Sequence, residues 1–319
     1  MTPTRTVRVA SKTHEAIDIC SFELVDAGGE PLPAFSAGSH VDVHTPAGPV
    51  RQYSLCNDPR EANRYQIAVL SDPASRGGSV AMHALEVGET LRISDPKNHF
   101  ALAPEAQSSL LFAGGIGITP ILCMAEHLAA AGADFALHYC TRSSERTAFA
   151  GRIGHSVFRE RVSFYYDDGP ESRRLDAQAA IGMPEPGRHL YVCGPTGFME
   201  WILGAARVLG WPEERLHREY FAAAPTRSDA DDTFEIQIAS TGRVVRVAKD
   251  QSVVAALAAI GVQVDVSCEQ GVCGTCLTRV LDGTPEHRDV YMTPAEQARN
   301  DRFTPCCSRA KSARLVLDL

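Results

Sequence analysis

Four cysteines near the C-terminal end constrain this chain most. The run Ser267-Cys268-Glu-Gln-Gly271-Val-Cys273-Gly274-Thr-Cys276 leaves four residues between its first two cysteines and two between the next pair, and Cys306 follows after 29 more. This is the plant-type ligand spacing of a [2Fe–2S] cluster, and thiolate sulfur is the ligand that suits iron–sulfur chemistry. A structural zinc site favours two well-separated short pairs instead. Gly271 and Gly274 let the backbone curl tightly, so that amide N–H groups can aim at sulfur and tune a cluster's potential.

With 319 residues the chain has room for two or three domains, and at 44% hydrophobic residues it can bury real cores. A formal charge of −8 argues against nucleic acid or an anionic membrane as main partner. The N-terminal stretch lacks the apolar core of a secretion signal, and no run reaches the length of a membrane-spanning helix. Five of the ten cysteines lie between 268 and 307, and Cys20, Cys56, Cys123, Cys140 and Cys193 are scattered, mostly in apolar contexts. That usage fits a reducing cytoplasm with buried thiols, not a disulfide scaffold.

Three patterned regions follow one another. Up to residue 106 short β-rich runs (6–10, 41–44, 52–55, 65–70 and 90–93) alternate with turn residues, as in a small antiparallel barrel with one helix over 77–85. From 107 to 222 strands (109–113, 135–141, 162–166, 189–193) alternate with helices (120–130, 197–209), which predicts a parallel sheet covered by helices. Thr119 and Pro120 are the predicted N-cap and first helical residue of the first helix. Residues 223–232 read as a polar linker. From 233 to 319 come a hairpin (234–239 and 243–248), a helix capped by Ser252, the cysteine loop and a closing strand over 315–319, an α+β pattern.

Other motifs carry chemistry only in combination. Gly114-Gly115-Ile116-Gly117-Ile118-Thr119-Pro120 follows an apolar strand and opens a helix, as a pyrophosphate-binding turn does, although Gly-x-Gly-x-x-Pro departs from the Rossmann fingerprint. Cys193-Gly194-Pro195 ends a later strand, on the same carboxyl edge where ligands sit in open α/β sheets. Arg51-Gln-Tyr53-Ser54 offers a cation for phosphate and an aromatic face for a flat ring, and Arg76-Gly77-Gly78-Ser79 stands at a predicted helix start. Each of these alone is equally readable as an ordinary half-exposed strand, a surface turn or a helix start.

Taken in chain order, Arg51-x-Tyr53-Ser54, Arg76-Gly77-Gly78-Ser79, the Gly114–Pro120 turn, Cys193-Gly194-Pro195 and the cysteine spacing resemble the phthalate dioxygenase reductase family, the FMN-containing reductases of Rieske-type oxygenases, over essentially the whole chain. The resemblance implies an antiparallel β-barrel flavin domain and a parallel-sheet α/β nucleotide domain, a pair like that of ferredoxin reductases, followed by a C-terminal β-grasp ferredoxin. It implies that Arg51, Tyr53 and Ser54 hold FMN with the ring against Tyr53, that Arg76, Gly77, Gly78 and Ser79 hold its phosphate, and that the Ala68-Val69-Leu70 strand offers backbone groups to the ring edge. Gly115, Gly117 and Thr119 would face the nicotinamide nucleotide, with Cys193 and Gly194 closing the pocket and Phe221 as the aromatic near flavin and cluster. Thr119, Cys193 and Phe221 are then the residues expected nearest the reacting atoms. The family's Cys-x-Ser-Arg-Ala pattern assigns Cys306, with Cys268, Cys273 and Cys276, as the fourth cluster ligand and leaves Cys307 as a packed thiol.

A nicotinamide gives up two electrons as one hydride, and a [2Fe–2S] cluster accepts one at a time. A flavin can do both and must stand between them. The implied activity is hydride transfer from NADH to FMN and single-electron delivery through the cluster to a separate oxygenase in aromatic-compound degradation. NADH is preferred over NADPH on the family's habit, although Arg142, after the second strand of the nucleotide region, stands where a 2′-phosphate could meet it. The alternative is a stand-alone flavin iron–sulfur oxidoreductase that reduces oxygen or a small acceptor, and a further rival is a non-enzymatic redox sensor. Residues 233–319 hold ten Asp/Glu and ten Lys/Arg, so docking to the oxygenase should rest less on charge steering than on shape and apolar contact.

Overall fold

The computed structural model describes residues 4–46, 48, 50–72, 77–170, 174–221 and 232–319. Arg76 and the expected linker up to 231 lie outside these residues. The chain divides into two compact units, one up to Glu219 and one from Tyr220 to Leu319.

In the first unit, β1 (Thr4–Ala16), β2 (Ile19–Asp26), β3 (Ser39–His44), β4 (Val50–Ser54), β5 (Tyr65–Leu70) and β6 (Thr90–Ser94) form an antiparallel sheet in the order β4-β3-β6-β1-β2-β5, with β7 (Lys97–Asn98) paired to β3 and α1 (Gly78–Ala84) between β5 and β6 in sequence. A Leu55–Ile67 bridge and the Cys56 N–H donating to Gln66 O at 2.8 Å bring the two ends together, closing the barrel. β1 pairs with β6 and β2 in turn and carries register shifts at Val9/Ser11 and His14/Ala16, bulges that bend one long strand around the barrel. The inward alternation buries Val7, Val9, Phe22, Leu24, Val41, Val43, Ile67 and Ile93 completely, each such side chain contributing about 1.5–3 kcal/mol. The sequence analysis missed β2. Its hairpin turns through Ile17-Asp18 without a glycine, because Asp18 itself takes the positive φ of 63°.

β8 (Ser108–Gly114), α2 (Ile118–Ala130), β9 (Asp134–Thr141), α3 (Ala150–Gly154), β10 (Val162–Tyr166), α4 (Ala177–Ile181), β11 (Arg188–Cys193), α5 (Thr196–Val208) and β12 (Leu216–Glu219) follow. Their strands form one sheet, β10-β9-β8-β11-β12, in which every pair is parallel, as the alternation predicted. Residues 118–125 of α2 are buried all round because the helix lies between this sheet and the barrel, and its core is continuous with barrel residues Ala16, Ile19, Cys56 and Ala68. Arg152 forks onto Glu126 of α2 at 2.7 and 2.9 Å and reaches Gln66 Oε1 of β5 at 2.6 Å. The two β regions therefore share one packed body.

The second unit holds β13 (Phe234–Ile238), β14 (Val244–Val247), α6 (Val253–Ala259), β15 (Thr278–Asp282), β16 (Pro285–Glu286), α7 (Pro294–Ala298), β17 (Arg302–Phe303), β18 (Arg309–Ala310) and β19 (Arg314–Leu317). Its mixed sheet runs β14-β13-β19-β15-β17, with β13 and β19 parallel and the other neighbours antiparallel, the β-grasp arrangement. Ser252 caps α6 as expected, accepting from the Ala255 N–H at 3.1 Å.

Candidate functional site

The cysteine loop runs between α6 and β15. The thiols of Cys268 and Cys273 lie within hydrogen-bonding reach of each other, and that of Cys306 lies within such reach of both Cys276 and Cys307. Among the described residues no group of three ligating side chains converges on one point, as a single zinc ion would need. The four thiols singled out by their spacing come together in this loop, and thiolate is the donor that suits iron–sulfur chemistry, so the donor set fits a [2Fe–2S] cluster. Cys268, Cys273 and Cys276 are 5%, 6% and 3% exposed. The curled backbone turns its amides inward: the N–H groups of Gln270 and Val272 reach Cys268, and that of Thr275 reaches Cys273. Gly271 and Gly274 supply the left-handed turns, at φ 73° and 69°. Cys307 reaches the Cys306 thiol and is held by other groups besides. Its sulfur lies 3.3 Å from Thr304 Oγ1 and fills the space where a Cβ on Gly271 would sit.

In the barrel, Arg51 and Tyr53 share one side of β4, and the Arg51 side chain lies against the start of α1. A Cβ on Gly78 would stand 3.1 Å from Arg51 Cγ and 3.2 Å from its Nε. Two expected phosphate-binding segments, far apart in sequence, thus meet, with Gly77 capping α1 and the Ser79 hydroxyl 3.1 Å from the Asp72 amide. Tyr53 is half-buried against the barrel core, and burial pushes its phenol up to about 12. On β5 the backbone groups of Ala68 and Leu70 share the side on which Gln66 meets Cys56, the side of β4. Val69 alternates the other way, toward β2, and its carbonyl also lies 2.8 Å from His83 Nε2 of α1.

In the parallel sheet Cys193 is in register with Ala113, so both glycine turns leave the same edge. They touch: a Cβ on Gly117 would stand 2.2 Å from Cys193 O and 2.6 Å from Gly194 N, and one on Gly194 would stand 2.9 Å from Gly114 Cα. Gly115 opens the short 3-10 turn between β8 and α2. Thr119 corrects its expected capping role. Gly117 caps α2, which starts at Ile118, and the buried Thr119 hydroxyl donates back to Ile116 O at 3.1 Å. A 3-10 turn already supplies that helix start, so no side-chain cap is needed. Cys193 ends β11 fully buried, and burial, then the neighbouring Glu219 carboxyl, raise its thiol well above the usual range. Phe221 lies two residues past β12 and is partly exposed. Arg142, just past β9, is exposed.

Sequence reasoning missed Glu219 and His40. Glu219 ends β12 opposite Cys193, accepts from Ser54 Oγ at 3.4 Å, and lies 3.9 Å from His40 Nδ1. Its side chain is only 13% exposed, and burial raises the carboxyl to about 8, opposed by the Ser54 hydroxyl. Burial, then the neighbouring His99, lowers His40 to about 4. Near pH 7 both groups are neutral, so their contact is not an ion pair. His40 continues through Gln52 to Asp42 and Lys97 (3.1, 2.9 and 2.7 Å). A signal existed in the Glu219-Tyr220-Phe221 run, but β12 is too short and polar to announce itself.

Residues 236–311 match the family model of the 2Fe-2S iron-sulfur cluster binding domain. Over 313 residues, 98% of either chain, this protein is 58% identical to a vanillate O-demethylase oxidoreductase of Pseudomonas putida. It is 39% identical over 315 residues to the phthalate dioxygenase reductase of Burkholderia cepacia, covering 98% of this chain and 97% of that one. A solved structure of phthalate dioxygenase reductase, described as modular for electron transfer from pyridine nucleotides to [2Fe-2S], superposes with a TM-score of 0.80 at 38% identity, covering 99% of this chain and 98% of that one. The chain belongs to this family of oxygenase and demethylase reductases. It is therefore an oxidoreductase with a [2Fe–2S] domain, and the stand-alone alternative is not favoured. Among the described residues of this reductase no helix is long and apolar enough to cross a membrane.

Proposed function

We propose that this reductase takes hydride from NADH onto FMN and passes single electrons through its [2Fe–2S] cluster to a Rieske-type oxygenase component acting on a methoxylated aromatic acid such as vanillate, in the cytoplasm. The observation that carries the reading is the gathering of thiols in the cysteine loop of a polypeptide that also holds a barrel and a parallel sheet. A one-electron relay has no purpose unless the acceptor takes electrons singly. The proposed parts are an FMN barrel over 1–106, a nucleotide domain over 107–222, a linker over 223–232 and a ferredoxin over 233–319.

FMN supplies the exchange between paired and single electrons when bound, and the protein supplies position and exclusion of water. Arg51 and the Gly77-Gly78-Ser79 start of α1 hold the phosphate, with Arg76 proposed beside them. Tyr53 gives the ring an apolar face. Ala68 and Leu70 present backbone groups to its edge, Val69 backing them, while Ser54 orients one atom of it by hydrogen bonding. Gly115, Gly117, Thr119, Cys193 and Gly194 shape the nicotinamide pocket, and Phe221 is proposed as an aromatic cover. Cys268, Cys273, Cys276 and Cys306 would hold the two irons between them. Glu219, protonated up to about pH 8, keeps a neutral donor and acceptor behind Ser54.

The test is anaerobic reconstitution. Purified protein made with ample iron and riboflavin should release FMN on acid treatment, bleach with NADH faster than with NADPH, and reduce the oxygenase component that serves the P. putida relative. Release of FAD, or reduction of oxygen alone, contradicts the reading.

Glu219 also sets a pH dependence. Its folded value of about 8 lies above the ordinary 4.5, so the folded state holds a proton that the unfolded chain releases. Stability from this group therefore declines as pH rises from about 4.5 to 8. Glu219→Gln should remove that decline, so that it gains steadily on the wild type as pH rises, with a large advantage at pH 8.5 and little at pH 5. Urea midpoints of the two proteins at both pH values check this. An equal difference at each pH would contradict it.

A further inference from the structure

If this chain delivers electrons to a protein, the electron must leave at a definite place on the ferredoxin unit. The candidate ligand thiols of the loop are shielded, and the stretch between Cys273 and Cys276 is covered by one side chain. A Cβ on Gly274 would stand 2.2, 2.5 and 2.6 Å from three ring carbons of Tyr291, so the ring rests directly on the loop backbone between two ligands. Tyr291 is nevertheless 41% exposed, and Val290 beside it equally so.

The neighbours of this pair are fastened. The Val290 N–H donates to Gly271 O at 3.1 Å. The Met292 N–H donates to the Asp289 carboxylate at 2.8 Å, and both of these flanking side chains are buried. Thr293 then opens α7 with a full capping box with Glu296. The segment is pinned on either side of Val290 and Tyr291, whose side chains stay partly exposed, the Tyr291 ring with one face on the loop. Such a pair loses little freedom when a partner covers it, and an aromatic with low entropic cost is the usual anchor of an interface. The ten acidic and ten basic residues of 233–319 leave no net charge to steer a partner.

We infer that Val290 and Tyr291 are the contact on which the oxygenase component seats, with an apolar patch of its own against the ring, so that its acceptor centre approaches the cluster loop at Gly274. The inference rests on the functional reading above. Each encounter moves one electron: the reduced cluster is oxidised, the acceptor centre is reduced, and no bond forms or breaks.

The test is calorimetric affinity between the oxidised holoprotein and the oxygenase component of the P. putida vanillate O-demethylase, without NADH. Val290→Asp places a charge on the patch without touching Gly274. It should weaken binding at least tenfold while the visible and EPR spectra of the cluster stay as in the wild type. Tyr291→Phe should bind within about twofold of wild type, and Tyr291→Ala should lose at least tenfold. Unchanged affinity of Val290→Asp, with the cluster intact, overturns the proposal even if Tyr291→Ala fails to hold its cluster. A wild-type protein that neither binds nor reduces that component sinks the functional reading itself, and the docking surface with it.

Discussion

Cys306→Ser yields protein without its iron–sulfur cluster, whereas Cys307→Ser yields protein that keeps it. The two thiols are adjacent in sequence, and the distinction comes from where each sulfur goes. Cys306 reaches Cys276, another of the expected ligands, as well as its neighbour Cys307. The Cys307 sulfur is engaged 3.3 Å from Thr304 Oγ1 and 3.9 Å from Ser308 Oγ, in the notch that Gly271 leaves open. A serine there still finds hydroxyl partners. At 306 a serine leaves one iron with a single thiolate, and because the site and its fold form together, loss of the cluster loosens the whole loop. Iron analysis and the visible spectrum check this: about two irons per chain in Cys307→Ser, and near none in Cys306→Ser. The reverse pattern would show that Cys307 is the ligand.

Gly117→Ala should block reduction by NADH almost completely, at least a hundredfold, while cluster content is kept. The position has ordinary helical geometry and needs glycine for space alone. The added carbon would lie 2.2 Å from the Cys193 carbonyl oxygen and 2.4 Å from its carbon, both backbone atoms at the end of a central strand. Neither loop can yield as a flexible side chain would, so the two turns must part. Overpacking of this kind destabilises by about 1–3 kcal/mol, and the parted turns no longer define one pocket. Gly115→Ala is the contrast. Nothing lies within 4 Å of its added carbon, and its φ of 54° alone opposes a side chain, at about 1–2 kcal/mol. Its flavin reduction should fall far less. Stopped-flow bleaching with thermal melts separates the two, and equal loss in both variants would rule out the steric explanation.

The fold class of each region was legible because each repeats one pattern: period two in the barrel, alternating strand and helix in the sheet, and the cysteine spacing in the last unit. β5 and β10 emerged with the bounds expected of them. The misses are places where burial comes from distant partners. β2 lacked a glycine turn, and β12 is four residues of mixed polarity whose last carboxyl becomes buried only against Ser54 and Cys193. Thr119 before Pro120 has the composition of a cap, but the preceding Gly115–Gly117 turn starts the helix earlier. The contact of Gly117 with Cys193, 76 residues later, is invisible in either motif alone. What the spacing of cysteines could not reveal is which thiols meet: Cys268 with Cys273, and Cys306 with both Cys276 and Cys307.

An anaerobic titration with NADH, followed by absorbance and low-temperature EPR on the same samples, probes the relay most directly. Flavin should bleach first, and the paramagnetic signal of a reduced [2Fe–2S] cluster should then grow to about one spin per chain. A bleached flavin beside a cluster that stays EPR-silent with excess NADH would mean that the two centres are not joined in one electron path.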